Sequence, residues 1–440
     1  MINQTEQMFY RLSNLDTLQQ KLTYQTSTKE KLQAGSDDSM LYSRIISVDD
    51  KVRTYEGLKS QIQKTQVQNN MADSSMSEIK KILEYMKGEL VKANTSTTTD
   101  DGITAIVSSI SGLKENLYQL ANTQVEGEYV FSGSNSSIKP FEKDASGKIT
   151  YLGDNQLRKV AVEEGSYREK GINGFDMMMY PSSTAFKGET FNFKEADRII
   201  DQDGNEWEMR NPILSGNNLT FSSGQKILDE SNNVWTLNAS NQLEDSLGNI
   251  NSAIVTDNLD GTYTFNVTSS SMRINEIVKY DSTGNNIIDT LPIENNDGLI
   301  PATFSVTLPN TDGTKFEAKT NVFDLIDATV NALKKLDSSG NPISDADAKA
   351  LIGKYQGEID KVFDAVNIAH ADLGGKNKIF EISLERVSSK LTQYDILSQD
   401  LGSVDYAKVA IEAKALELTY TALYSTISKT NQLSLVNFLN

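Results

Sequence analysis

The chain has 440 residues, enough to bury more than one core. Its 42 Lys and Arg stand against 60 Asp and Glu, a formal charge of −18 that repels phosphate backbones and argues against a nucleic-acid partner. It has no cysteine, which excludes disulfides and thiolate chemistry, and no apolar run approaches the length of a membrane span, so no membrane partner is expected.

From Met1 to Glu6 there is no basic region leading into an apolar core, so export through a cleaved general-secretion signal is not expected. Residues 1–48 carry five basic and five acidic side chains, and residues 401–440 carry three of each. The acidic surplus therefore lies between two neutral, apolar ends. Near the front, Met8, Leu12, Leu15, Leu18 and Leu22 recur at intervals of three and four, which predicts an amphipathic helix. Ile45, Val48, Val52, Tyr55 and Ile62, then Ile79, Leu83, Met86 and Leu90, predict one long helix over roughly 39–93. At 1.5 Å per residue such a helix is about 80 Å long, more than a compact domain needs. Ile103, Ile106, Ile110, Leu113, Leu117 and Leu120 mark another helix.

All seven prolines lie between Pro140 and Pro342, so both flanks are free of the residue that breaks helices. From about 135 to 350, Asn, Asp, Gly, Ser and Thr punctuate short β-rich runs such as Thr262–Val267, which follows an Asp260-Gly261 turn. Ile199–Met209 resembles Ile227–Leu237, with the two tryptophans, Trp207 and Trp235, at equivalent places. A duplicated hairpin is expected, each Trp packing across a small sheet.

In the last part, Ile359, Val366, Leu373, Phe380, Val387, Tyr394 and Leu401 are spaced by seven. A second row reads Phe363, His370, Asn377, Leu384, Leu391 and Ser398, polar where a coiled coil can fix its register. Gly374-Gly375 costs roughly 2 kcal/mol of helix propensity, so the helix either continues through the pair or kinks there. Beyond Gly402 the row Val409, Ala413, Leu416, Tyr420, Leu423 and Ile427 continues the pattern, and the chain ends on Leu433, Leu435, Val436, Phe438 and Leu439. So apolar an end calls for a docking partner.

Little in the sequence points to chemistry. A single histidine rules out a two-histidine zinc motif, and His370 reads as helix packing rather than a switch or ligand. Asp201-Gln202-Asp203-Gly204-Asn205 has its glycine at the fourth position, where a helix-loop-helix calcium site needs it at the sixth, so a turn between strands is preferred. There is no Gly-x-Ser-x-Gly elbow and no phosphate-binding glycine loop ending in Gly-Lys-Ser/Thr. No catalytic residue, cofactor or metal is expected, and the protein reads as a non-enzyme. The functional candidates are the apolar faces of the ends, read as an assembly interface: Leu12, Leu15, Leu22, Val409, Leu416, Tyr420, Leu423, Ile427, Leu435, Val436, Phe438 and Leu439.

The fold class is α+β: paired N- and C-terminal long helices form a helical rod, with a β-rich insertion in the middle. Residues 1–38 plus 402–440 are expected as terminal helical segments, 39–135 plus 355–401 as the rod, and 136–354 as the insertion, with room for two subdomains.

Several segments carry a family resemblance. Ala121-Asn122-Thr123, then Gly127-Glu128-Tyr129-Val130-Phe131-Ser132-Gly133 and Pro140-Phe141, resemble the hook-filament junction family of the flagellin superfamily. Tyr151-Leu152-Gly153-Asp154-Asn155, with Val160-Ala161-Val162 and Gly165, extends the likeness. Leu32–Asp38 resembles the family's Gly-to-Asp-Asp turn, though it is shorter and lacks the Pro. Asp405-Tyr406-Ala407 and Leu435–Leu439 are similar to the carboxy-terminal helix of flagellins. Residues 176–354 resemble nothing identifiable.

The resemblance implies a structural subunit of the bacterial flagellum, exported unfolded through the flagellar type III apparatus and kept soluble by a cytoplasmic export chaperone. It would sit outside the cell between hook-associated protein 1 and the flagellin filament, touching neighbouring copies of itself. The terminal segments would form an inner tube, disordered in the monomer, with the rod around it and the insertion outermost. The rival readings are flagellin itself, or a secreted adhesin whose β insertion binds glycans on Trp207 and Trp235.

Overall fold

A computed structural model describes residues 2–438 except 96–97, 211–212, 215–217, 223–226, 230–232, 246, 252, 260, 267–271, 282–285, 294, 297–302 and 339. Asp260, Val267 and Leu439 thus lie outside the described residues, as do the side chains of Leu433, Leu435, Val436 and Phe438. The helices, in chain order, are α1 (Ile2–Thr28), α2 (Ser39–Ala93), α3 (Asp100–Ala121), α4 (Gly174–Met178), α5 (Val322–Leu333), α6 (Asp345–Gly402) and α7 (Tyr406–Phe438). Two compact units contain them: Met1–Lys64, Val160–Arg168 and Ile379–Asn440 form the first, Thr65–Lys159 and Glu169–Lys378 the second.

In the first unit Tyr55, Leu58 and Ile62 of α2 pack with Phe380, Val387 and Leu391 of α6, and Val160 and Val162 of the strand Lys159–Glu163 close the cluster. The Tyr55 and Tyr394 rings stack with centroids 5.4 Å apart. At the edge of this core Lys51 pairs with Glu164 at 2.7 Å, and Lys390 with Glu163. Phe380 and Val387 belong to the seven-residue row of α6 and Leu391 to the second row, so on this helix the periodicity and the burial have one cause.

The second unit is built around Met76, Ile79, Leu83 and Met86 of α2, Ile106, Ile110 and Leu117 of α3, and Ile359, Val366 and Leu373 of α6. α3 begins where the Thr99 side chain accepts a hydrogen bond from the Gly102 N–H at 3.2 Å, and Asp100 and Asp101 complement the positive end of its dipole. α6 runs unbroken through Gly374 and Gly375, both exposed. Burial of Leu373 and Phe380 on either side outweighs the propensity cost. Phe131, at the end of the expected rod segment, and Phe141, Met177–Tyr180 and Phe323, expected in the outer insertion, share this core with the helices.

The β part of the second unit is antiparallel. A six-stranded sheet runs Ile287–Pro292, Glu276–Tyr280, Glu206–Arg210, Arg198–Asp201, Lys315–Asn321, Met179–Phe186. A separate core holds Phe191, Phe193, Ile199, Trp207, Phe304 and Phe316. Residues between Arg210 and Glu276 form a further cluster of Phe221, Ile227, Leu243 and Phe265 with its own small sheets.

Candidate assembly surface

Two short connections hold the ends of the first unit in place. α1 stops at Lys29, whose φ of +68° the helix cannot continue, and α6 stops at Gly402. The outgoing segments pair: Lys31 N–H donates to the Gly402 carbonyl at 2.7 Å, Val404 N–H to that of Lys29 at 3.1 Å, and Glu30 and Ser403 form an antiparallel bridge. The Tyr406 hydroxyl donates to the Thr26 carbonyl at 2.8 Å. α7 then starts with the Asp405 carboxylate accepting from the Ala407 N–H at 3.0 Å.

The Asp37-Asp38 turn serves α2 in the same way. Asp38 accepts from the Leu41 N–H at 3.0 Å, and Asp37 from the Gln33 and Ala34 N–H groups at 2.9 and 3.0 Å. Backbone donors from Ala34 and Gln33 hold the Asp37 carboxyl below its ordinary range. Gly35 lies against the Tyr42 ring, and a Cβ there would stand 2.9 Å from Cδ1. The missing proline does not prevent a tight turn.

α1 and α7 pack on each other through Leu22, Val409 and Leu416, with Leu15, Val404 and Tyr420 against them. Leu12, Leu423 and Ile427 are half-buried. Of the expected interface residues Leu15, Leu22, Val409, Leu416 and Tyr420 are brought together, and Leu22, Val409 and Leu416 are covered by the chain's own partner helix. Beside them a groove of ≈ 770 Å³ is lined by Gln19, Leu22, Thr23, Leu416, Tyr420 and Tyr424 among others. A different set is left bare: Phe9, Tyr10, Ile411, Leu418 and Tyr424 are each more than half exposed. The sequence reading missed these because it followed one stripe per helix. Their signal was the apolar residue between the stripes, Ile411 and Leu418 each two places beyond a row member.

Of the segments that carry the family resemblance, Ala121–Gly133, Pro140-Phe141 and Tyr151–Asn155 form a joint in the second unit. Asn122 donates to the Tyr118 carbonyl at 3.0 Å and accepts from the Phe141 N–H at 3.0 Å. The Tyr151 hydroxyl donates to the Phe131 and Asp154 carbonyls at 3.2 and 2.9 Å, and burial pushes its pKa well above the ordinary value. Gly133, at φ +87°, faces Asp154 with no room for a side chain. These residues are there to pack.

The other candidates resolve as packing too. His370 Nε2 lies 2.9 Å from Asp73 Oδ1, a polar tie from α6 to α2. The Asp201 oxygens are taken by the N–H groups of Asp203 and Asn205, by the Asn205 side chain and by the Trp207 indole, which makes the segment a turn between strands. Trp207 is 5% exposed and packs on Phe316, so it is no platform for a glycan. Among the described residues no three His, Asp or Glu side chains are placed to hold a metal, and no helix is long and apolar enough to cross a membrane.

Residues 4–136, which include α2, α3 and all but the start of α1, match the family model of the bacterial flagellin N-terminal helical region. The chain is similar to flagellar hook-associated protein 3 of Salmonella typhimurium, at 22% identity over 217 residues that make up 49% of this chain and 67% of that protein. It is 27% identical to flagellar hook-associated protein 3 of Escherichia coli over 95 residues, 21% of this chain and 29% of that one. A solved structure of flagellar hook-associated protein 3 from Legionella pneumophila covers 81% of this chain and 98% of its own, with 14% identity and a TM-score of 0.45. The likeness read from Ala121–Gly133 and Tyr151–Asn155 points to the same kind of protein as these partial similarities.

Proposed function

We propose that this protein is a structural subunit of the bacterial flagellum that joins the hook to the flagellin filament. The observation that carries this reading is the pair α1 and α7. They cover each other along Leu22, Val409 and Leu416, yet leave Phe9, Tyr10, Ile411 and Leu418 in water. Burying such side chains stabilises by roughly 1.5–3 kcal/mol each, so a ring of neighbouring copies gains a strong interface from them. Leu12, Leu15, Tyr420, Leu423 and Ile427 extend the face at its margins, and the apolar Leu435, Val436, Phe438 and Leu439 follow in the sequence.

On this reading the neighbours are further copies of the chain, hook-associated protein 1 on one side and flagellin on the other. Before assembly the bare faces need cover, which suits an export chaperone, a type III route out of the cell and terminal segments that order only on assembly. The role is mechanical, with no catalysis. Deleting the gene and examining the flagella by electron microscopy tests this: hooks without filaments are expected, with filament protein shed into the medium. Long filaments formed by the purified protein alone would make it a flagellin instead.

A further inference from the structure

In the second unit α2 departs from its apolar stripe. Thr65, Gln68, Asn69 and Ser75 are all buried, between stretches whose inward residues are Ile, Leu and Met. Most have partners. Gln68 Nε2 donates to Glu128 Oε2 at 2.9 Å, Gln68 Oε1 accepts from Lys170 Nζ at 2.7 Å, and Ser75 shares a hydrogen bond with Thr123 at 3.2 Å. Asn69 is the exception. It is 1% exposed, and its Nδ2 has no protein acceptor. A buried donor left so forfeits a hydrogen bond it would have had in water.

Asn69 lines a cavity of ≈ 20 Å³, together with Gln68, Glu128, Arg158, Lys170 and Gly171. Two more buried atoms without partners belong to residues that neighbour this region along the chain. Asn173 Nδ2 is two residues beyond Gly171, and Asn377 Oδ1 adjoins Lys376, whose ammonium donates to the Gly171 carbonyl at 3.3 Å. Gly171 itself has a φ of +72°, and a Cβ there would stand 3.9 Å from Asn69 Oδ1.

We propose that this cavity is a structural-water site, in which one buried water accepts from Asn69 Nδ2 and donates to the Glu128 carboxylate. The volume suits a single water. A single water needs about 10–15 Å³ of such space, and a hydrated ion or an organic molecule needs several times more. The chemistry agrees, because the lining offers an unspent amide donor and a carboxylate that hydrogen bonds from Gln68 and Arg158 keep ionised. The water therefore fastens the 128–133 segment, part of the family hallmark, to α2 at a point where side chains alone fall one bond short.

A high-resolution crystal structure of the full chain tests the site, with Asn69→Leu as the comparison. The expected result is a solvent peak within hydrogen-bond distance of Asn69 Nδ2 in the parent, lost in the variant while the surrounding residues stay in place. A parent cavity without solvent, or a protein acceptor found directly on Asn69 Nδ2, overturns the proposal. The parent structure alone decides the matter if the variant fails to fold.

Discussion

Trp207 and Trp235 hold the same place in two copies of one hairpin. Each indole donates to a carboxylate six residues earlier at 3.1 Å, Trp207 to Asp201 and Trp235 to Asp229. Each also faces an isoleucine across the strands, Ile199 and Ile227. Their surroundings differ: Trp207 sits in a core with Phe191 and Phe316, and Trp235 is half-buried. Trp207→Ala should cost about 3–5 kcal/mol, the range for a fully buried aromatic, and Trp235→Ala about half as much. Urea midpoints of the two variants compare them, and equal losses would show that the copies bear the same load.

Acid should loosen the hairpin around Asp201. Burial pushes this carboxyl up, but hydrogen bonds from Asn205, Trp207 and Asp203 outweigh it and leave the pKa below the ordinary 3.8. A depressed folded pKa contributes stability that is present above the unfolded value and is lost as pH falls through the folded one. Asp201→Asn should therefore be less stable than the parent near neutrality, with the gap closing below pH 3.8. Trp207 fluorescence during urea unfolding, in a Trp235→Phe background, reads this. A gap that does not change with pH would mean that Asp201 acts by shape alone.

The cluster around Phe221 and Phe265 should be removable. Arg210 and Glu276 are direct partners on adjacent antiparallel strands, so the chain between them leaves the sheet and returns to the same point. Replacing residues 211–275 by an Asn-Gly turn, which suits a two-residue hairpin, is expected to keep the helical core and the six-stranded sheet. Thermal unfolding followed at the helical circular dichroism signal checks it. A lost or strongly lowered transition would show that the excised part supports the rest.

Gly374→Ala and Gly375→Ala should each stabilise α6. Both glycines are exposed, and a Cβ at either meets nothing within 4 Å. The gain is about 0.8–1 kcal/mol per site from helix propensity. No gain in the thermal midpoint would show that the helix bends there in solution.

Much of this architecture was legible because helical burial leaves a period. The limits of α2 match the expected 39–93, and Ile359, Val366, Leu373, Phe380 and Val387 are all buried as their spacing requires. Tyr394 and Leu401, last in that row, are only half-buried, since spacing records a face and not what covers it. The same limit hid the use of Val409 and Leu416, whose partner is α1 of the same chain. The β part was legible as turns. The Asp201 turn recurs at Asp144, Asp245 and Asp337, where a carboxylate accepts from the N–H four residues on. Only the two copies with tryptophan stood out, because aspartate, glycine and asparagine are common in any loop.

The central claim is that the bare faces of the terminal helices make the joint. Ile411→Asp and Leu418→Asp place a charge on the exposed side of α7, away from Val409 and Leu416, so the variants should keep the parent's circular dichroism and thermal midpoint. The decisive measurement is filament retention, counted by electron microscopy on cells that export the double variant in place of the parent. Normal export with most hooks bare is the expected result. Normally attached filaments would contradict it.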